Sequence, residues 1–248
     1  MRVAVELVPR DVTAFDRQLA DLSTLKRVDL VNVPDLAHFE VRAWQAALTV
    51  RDYATGRWGA VPHVRAMDVD LGRPWGPATH LARAGVDEVL VVTGDPPSGM
   101  SHDVTGATAI EVISALKASH PELRVYAALD PYRAGFAAER DYARRKLDAG
   151  ADGFFTQPFF DLRLLEVWRE LMSGVPVFWG VTSVTSERSM RYWLARNRAV
   201  FPAGFEPTLA WHRRFAADAL AFAEQHDADI YFMPIRVGIA DWLGELLG

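Results

Sequence analysis

One carboxylic acid stands inside an otherwise apolar segment of the sequence. Glu6 lies within VAVELVP, residues 3–9, a run typical of a buried β-strand. A buried carboxylate without a partner is costly, so the group either forms an ion pair or keeps its proton through a raised pKa. A carboxylic acid that is neutral near pH 7 is what a general acid requires. The sequence therefore predicts an acid catalyst at Glu6, with an ion pair to Arg10 or Arg65 as the structural alternative.

A second carboxylate follows another apolar run. Asp95 stands in TGDPP, where Pro96 and Pro97 stiffen the loop and Gly94 permits close approach of a ligand. A fixed carboxylate at such a point would stabilise a developing cation by preorganised electrostatics. The alternative is a plain Asp-Pro-Pro turn.

The third polar group is an amide at the end of GADGFFTQPFFD, residues 150–161. Gln157 offers one acceptor and two donors, enough to bind the edge of a heterocycle that carries both. Phe159 and Phe160 could supply a ring face beside it. The alternatives are an amide that caps a loop and two aromatic side chains in the core.

Composition excludes several classes of protein. The 248 residues carry a formal net charge of −5 and no long Lys/Arg run, which argues against a nucleic-acid partner. The absence of cysteine excludes disulfides, zinc-thiolate sites and thiol catalysis. Neither a signal peptide nor an apolar run of about 18 residues is evident, so we expect a cytoplasmic protein with no membrane segment. No H-x-H pair or G-x-S-x-G motif is present, so we expect neither a metal site nor a Ser-His-Asp site.

Short apolar runs alternate with segments of helical period along the whole chain. Helical patterns cover 14–25, 38–54 and 107–120, and continuous apolar strands indicate burial on both faces of a parallel sheet. Eight units of about 31 residues predict a single-domain (β/α)8 TIM barrel over residues 1–248. An open doubly wound sheet is the alternative, but no G-x-G-x-x-G follows the first strand. The eight predicted strands are 2–8, 28–33, 59–66, 87–93, 123–129, 152–157, 175–181 and 228–233.

In such a barrel the functional residues lie at the carboxyl ends of the strands. Polar residues directly follow each apolar run, and the fold predicts that they converge on one mouth. The set consists of Glu6, Asn32, His63, Asp95, Asp130, Gln157, Thr182 and Arg236.

Five segments in the same order resemble the methylenetetrahydrofolate reductase family. The first resembles the family's opening strand with its catalytic glutamate, the second its Pro-His strand and the third its Gly-Asp loop. The fourth is similar to its longest signature, and the fifth sits where the last barrel strand ends. These segments are VELVPR (5–10), PHVRAMD (62–68), VVTGDPP (91–97), RRKLDAGADGFFTQPFFD (144–161) and ADIYFMPIRVG (228–238).

The resemblance implies reduction of 5,10-methylenetetrahydrofolate to 5-methyltetrahydrofolate, a step of one-carbon metabolism and methionine biosynthesis. Glu6 would be the acid that helps open the methylene bridge to a 5-iminium cation, which Asp95 would stabilise. Gln157 would bind the pterin, and we expect Phe159 and His63 to contact the same substrate. Candidates for the nicotinamide site, chosen by strand-end position, are Asn32, Asp130, Thr182 and Arg236.

The same resemblance places the chain as a short, divergent member that lacks several flavin contacts. Family members normally carry FAD, which passes hydride from NAD(P)H to the folate. Thr93 stands where an arginine usually precedes the Gly-Asp pair, and Leu129 stands in place of a tyrosine. Thr105 replaces a second tyrosine, and Glu187 lies near the position of a folate-stacking phenylalanine. We therefore expect NADH or NADPH to transfer hydride directly to the iminium carbon, without FAD.

Three other interpretations stay open at the level of sequence. The first is the same reaction with FAD held by rebuilt contacts. The second is a barrel methyltransferase that acts on a pterin and consumes no reduced nicotinamide. The third is a folate-binding barrel without turnover, against which the costly acid Glu6 argues.

Overall fold

Eight parallel strands hydrogen-bond in sequence order and close on themselves, β1 to β8. This confirms the predicted (β/α)8 barrel. The computed structural model describes residues 1–53, 55–95 and 104–248, so the predicted stiffening by Pro96 and Pro97 lies outside the described residues. The strands are β1 Val3–Glu6, β2 Leu30–Val33, β3 Gly59–Arg65, β4 Glu88–Val92, β5 Arg124–Leu129, β6 Gly153–Thr156, β7 Val177–Thr182 and β8 Asp229–Met233.

Helices pack around the strands and bury their apolar faces against the outside of the barrel. Side-chain caps begin several of them: Asp11 accepts from the backbone of α1, and Thr108 forms a capping box with Glu111 on α4. The described helices are α1 Val12–Ser23, α2 Ala43–Tyr53, α3 Pro77–Arg83, α4 Ala109–Ser119, α5 Phe136–Asp148, α6 Leu162–Leu171, α7 Glu187–Asn197, α8 Leu209–Gln225 and α9 Ile239–Leu247.

The start of α2 differs from the prediction. The periodic pattern predicted a helix from residue 38, but α2 begins at Ala43. Asp35 accounts for the difference, because its carboxylate forms two hydrogen bonds with the Arg42 guanidinium, at 3.0 and 2.6 Å, and accepts from the Ala43 backbone N–H. These bonds hold the preceding segment in turns.

The barrel interior is filled in layers and sealed at one end. An apolar cluster of inward-facing side chains occupies the middle, including Ala4, Leu30 and Phe155. At the amino-terminal end of the strands, Glu88 forms ion pairs with Arg2 at 2.9 Å and with Arg124 at 2.7 Å. Ligand access is therefore left to the opposite end, where the strands finish.

Within the described ranges, no helix is both long and apolar enough to cross a lipid bilayer.

Candidate active site

The alternation of side chains along the strands turns three of the predicted residues into the mouth. Glu6 is in register with Asn32 on the adjacent strand β2. His63 lies two residues beyond Val61, which is itself in register with Asn32. Because residues two apart on a strand face the same side, the two strand pairings bring these side chains together.

The carboxyl group of Glu6 has a tyrosine as its hydrogen-bond partner. The Tyr231 hydroxyl on β8 forms a short hydrogen bond with Glu6 Oε2. Burial raises the pKa of Glu6 to about 7, and the bond from Tyr231 opposes that rise. Neither arginine of the predicted ion pair plays that part here, since Arg65 binds Asp68 at 2.8 Å and Arg10 is exposed. Glu6 therefore keeps its proton to a much higher pH than an ordinary carboxyl group, as a general acid requires.

Asn32 links this acid to a histidine. His63 Nε2 lies 2.5 Å from Asn32 Oδ1, and the Tyr231 hydroxyl lies 3.1 Å from the same oxygen. Burial lowers the pKa of His63 to about 3, so the ring is neutral at physiological pH. Asn32 is fully buried, and its Nδ2 has no hydrogen-bond partner among the described residues. A buried donor left in this state costs about 1–3 kcal/mol, which marks it as a group for a ligand to satisfy.

Asp95 follows β4 on the loop at the same end of the barrel. Its side chain is exposed, and its backbone carbonyl accepts from Arg65 Nη2 at 2.8 Å. Gly94 has φ +88°, and a Cβ there would lie 3.2 Å from side-chain atoms of both Arg65 and Met67. A glycine is therefore required for the chain to turn closely over Arg65 and place Asp95 after the strand.

Gln157 lies at the end of β6 with its side chain half-buried. Its backbone N–H donates to the Leu129 carbonyl at 2.8 Å, whereas its side-chain amide forms no hydrogen bond within the described part of the chain. Gly180 allows β7 to lie close to the end of β6, because a Cβ at this position would lie 2.6 Å from the Thr156 carbonyl oxygen. The amide thus keeps its donors and acceptor for a ligand.

Phe159 lies away from these groups. Its ring is fully buried and packs edge-on against Trp179, with the ring centroids 5.8 Å apart. Its backbone forms a parallel bridge with Val181. The ring belongs to the core between the barrel and the helices, so in this position it presents no face to the mouth.

The remaining nicotinamide candidates have separate surroundings. Thr182 is buried and donates to the Met233 carbonyl at 2.8 Å, a bond that joins β7 to β8. Asp130 accepts from the Tyr132 backbone at 2.9 Å, and burial raises the pKa of its carboxyl. Arg236 is exposed, with φ +58° in the left-handed region. Of the four candidates, only Asn32 contacts the network of Glu6.

Tyr231 is the residue that the sequence interpretation missed. In the segment DIYFM, residues 229–233, its position is typical of an aromatic side chain in the core. A signal was nevertheless present, because the alternation of β8 places Tyr231 on the inward side together with Asp229 and Met233.

Three side chains stand where the resemblance implies flavin contacts, and each has different surroundings. Leu129 is fully buried among the helix-facing residues, and Thr93 is exposed. The Thr105 hydroxyl lies 2.9 and 2.8 Å from the carbonyl oxygens of Met67 and Val69. Leu129 offers no polar atom and the Thr105 hydroxyl is engaged by the backbone, so these two side chains do not fit the flavin contacts that the resemblance implies. In the three described ranges, no cluster of His, Asp and Glu side chains lies close enough to hold a metal ion.

Comparisons with known proteins identify the family of this chain and agree with its fold. The family model described as methylenetetrahydrofolate reductase matches residues 44–210. The chain belongs to this family, which makes an oxidoreductase acting on methylenetetrahydrofolate the coarse assignment. No curated protein matches the chain in sequence.

Among solved structures, two crystal forms of 2,3-dimethylmalate lyase, a member of the PEP mutase/isocitrate lyase superfamily, match with a TM-score of 0.59 and 12% identity. The matches cover 96% and 98% of this chain and 75% of the lyase chains. At that identity the likeness shows a shared TIM-barrel fold and nothing of the reaction.

Proposed function

We propose that this protein reduces 5,10-methylenetetrahydrofolate to 5-methyltetrahydrofolate, with NADH or NADPH as direct hydride donor and without FAD. The observation that carries the proposal is the carboxyl group of Glu6, which stands in the barrel mouth with a pKa of about 7. An acid that is half protonated at neutral pH is matched to the transfer of a proton to an amine nitrogen.

In the proposed reaction, Glu6 donates its proton to N10 of the folate. The bond between N10 and the methylene carbon breaks, and its electrons stay on N10. The methylene carbon then forms a double bond to N5, which carries the positive charge. A hydride from the reduced nicotinamide adds to this carbon, so one proton and one hydride are consumed for each methyl group formed.

Two other residues act on the substrate in this scheme. Gln157 has an uncommitted amide at the end of β6, which supports hydrogen bonding to the donor and acceptor edge of the pterin. Asp95 is proposed to stabilise the iminium cation, because its exposed carboxylate follows β4 at the catalytic end of the barrel.

The flavin-independent form of the reaction is supported by the side chains that replace flavin contacts. Leu129 is buried in the core, and the hydroxyl of Thr105 is held against the carbonyl oxygens of Met67 and Val69, in the turn that follows β3. A flavin would have to be bound through different groups. Direct transfer requires only that the nicotinamide ring reach the iminium carbon.

The first test is anaerobic oxidation of NADH by the purified protein with 5,10-methylenetetrahydrofolate and no added flavin. The proposal predicts a folate-dependent rate from protein whose spectrum shows no flavin band. A rate that appears only after addition of FAD would instead support the flavin-dependent reaction. A tightly bound flavin in the active protein would refute direct transfer and leave the substrate assignment intact.

A matched variant distinguishes an enzyme from a protein that only binds folate. Glu6→Gln keeps the shape of the side chain and an acceptor for Tyr231 but removes the acidic proton. An enzyme that uses this acid loses about 10²–10⁴ in turnover while retaining folate affinity. No turnover in the wild type, with affinity equal in both proteins, would favour a folate-binding barrel. Methyl transfer without oxidation of NADH would favour a pterin methyltransferase.

A further inference from the structure

Tyr231 lies at the centre of a hydrogen-bonded chain that crosses the barrel mouth. Its hydroxyl contacts Glu6 on one side and Asn32 Oδ1, at 3.1 Å, on the other. His63 Nε2 approaches the same Asn32 oxygen at 2.5 Å. We propose that Tyr231 reverses the direction of its hydrogen bond as Glu6 gives up its proton, and so stabilises the carboxylate when it forms. This inference rests on the proposed function.

The protons available to these side chains allow two arrangements of the hydrogen bonds, one for each protonation state of Glu6. When Glu6 is protonated and no folate is bound, its O–H donates to the Tyr231 oxygen, and the tyrosine O–H donates to Asn32 Oδ1. When the folate binds, the Glu6 O–H turns from Tyr231 to N10 before the proton is transferred. When Glu6 is ionised it has no proton to donate, so the tyrosine O–H turns to the carboxylate. Each state then keeps the Glu6–Tyr231 bond, and a rotation of one hydroxyl connects them.

Asn32 and His63 hold the resting arrangement. The Asn32 oxygen serves as acceptor for Tyr231, and the neutral His63 ring can donate to the same atom through Nε2. With both donors on Oδ1, the amide nitrogen points elsewhere, as its lack of a protein partner shows for the described residues. The amide is therefore fixed as an acceptor toward Tyr231.

Among the described residues, two titratable side chains face Glu6 across the mouth. Tyr231 approaches from β8, and His63 faces the same mouth from β3 beyond the uncharged Asn32 of β2. Arg2 and Asp229 pair with each other at the opposite end of the strands, at 3.3 Å. Within the described part of the chain, the hydroxyl of Tyr231 is thus the group within bonding distance that can favour the Glu6 carboxylate over the acid.

The inference predicts opposite shifts from two changes at one position. Tyr231→Phe keeps the ring and removes the hydroxyl, so the carboxylate loses its donor and the pKa of Glu6 rises. Incorporation of 3-fluorotyrosine at position 231 supplies a more acidic donor and lowers that pKa. Both shifts are measured by pH-dependent infrared difference spectra of the protein alone. The carboxylic acid carbonyl band of Glu6 is identified as the band that is missing from the spectrum of Glu6→Gln.

The control is Tyr126→Phe. Tyr126 also lies in the barrel interior, but its hydroxyl accepts from Arg2 Nη2 at 2.9 Å near the sealed end. Its loss perturbs the core without touching Glu6, so the Glu6 carbonyl band keeps its titration midpoint. Comparison of these two variants separates loss of a buried hydroxyl in general from loss of this one.

Kinetics provide the second readout. With 5,10-methylenetetrahydrofolate and NADH, Tyr231→Phe is expected to lower kcat by about tenfold to a hundredfold, the usual effect of losing a hydrogen bond to a charged group. The KM for the folate stays near the wild-type value, and the alkaline fall of kcat/KM moves to higher pH. An unchanged Glu6 midpoint in both Tyr231 proteins would overturn the inference.

The proposed reductase activity and the proposed role of Tyr231 are tested by separate measurements. The infrared titration requires no substrate, so it tests Tyr231 even in a protein that shows no reductase rate. Absence of that rate would refute the proposed function while the shifts remained. A normal reductase rate with an unmoved carbonyl band would refute the role of Tyr231 alone.

Discussion

Replacing Glu6 by glutamine is expected to stabilise the protein at alkaline pH while it lowers turnover by about 10²–10⁴. The buried carboxyl has a pKa of about 7 in the folded protein, against an ordinary value of 4.5. Ionisation is therefore harder in the folded state than in the unfolded chain. Glutamine carries no charge at any pH, so the variant does not meet this cost.

The size of the effect follows from the pKa difference. Each unit corresponds to about 1.36 kcal/mol, which gives about 3 kcal/mol for the complete shift. Because the side chain retains some contact with solvent, we expect about 2 kcal/mol. Below pH 4.5 both states are protonated and there is no cost. As pH rises from there to about 7, only the unfolded state releases its proton, so the wild type loses stability across that window.

Urea denaturation of the two proteins at about pH 5 and pH 8 measures the effect. The free energy of unfolding of Glu6→Gln, relative to wild type, should increase between these values. A useful control is Glu111→Gln, since hydrogen bonds from Thr108 lower the pKa of Glu111 and its charge stabilises the folded state. Because Glu111 is ionised in both the folded and the unfolded state above about pH 5, the difference between that control and wild type should stay nearly constant between the two pH values. A difference between wild type and Glu6→Gln that stays constant with pH would refute a raised pKa at Glu6.

Four further outcomes are expected. The kcat/KM for the folate should fall above about pH 7, by tenfold per unit, because a general acid must be protonated; a pH–rate profile flat across pH 7 would contradict this. Gln157→Ala should raise the KM for the folate about tenfold or more, with the melting temperature unchanged because the amide has no partner in the described chain. Asp95→Asn should lower kcat by about 10² with little change in KM, since the charge it opposes appears only in the reaction; equal losses in binding would contradict that role. Gly180→Ala should lower the melting temperature, because the new methyl group would lie 2.6 Å from the Thr156 carbonyl, and a wild-type melting curve would refute this packing.

Local pattern predicted the strands well. Each of the eight apolar runs overlaps an observed strand, because burial on both faces of a parallel sheet leaves an unbroken run of apolar residues. The approach of Asn32 and His63 follows from the alternation of side chains once the barrel is assumed.

Features that depend on long-range contact were harder to predict. The predicted start of α2 was wrong because the Asp35 carboxylate accepts hydrogen bonds from the Arg42 guanidinium and the Ala43 backbone N–H, which keeps the preceding residues out of the helix. Tyr231 was missed because nothing local distinguishes a tyrosine that contacts an acid 225 positions away from one that fills the core. The same limit applies to Phe159, whose direction depends on packing against Trp179.

The contact between β1 and β8 also has a consequence for assembly of the chain. Tyr231 reaches Glu6 only when the last strand pairs with the first. In a partly folded chain with an open ring, Glu6 is hydrated and titrates near 4.5, so it is ionised at neutral pH. Closing the ring buries the group and draws a proton from the solvent. Closure of the barrel is therefore coupled to proton uptake at Glu6, and it should become less favourable as the pH rises from 4.5 to about 7.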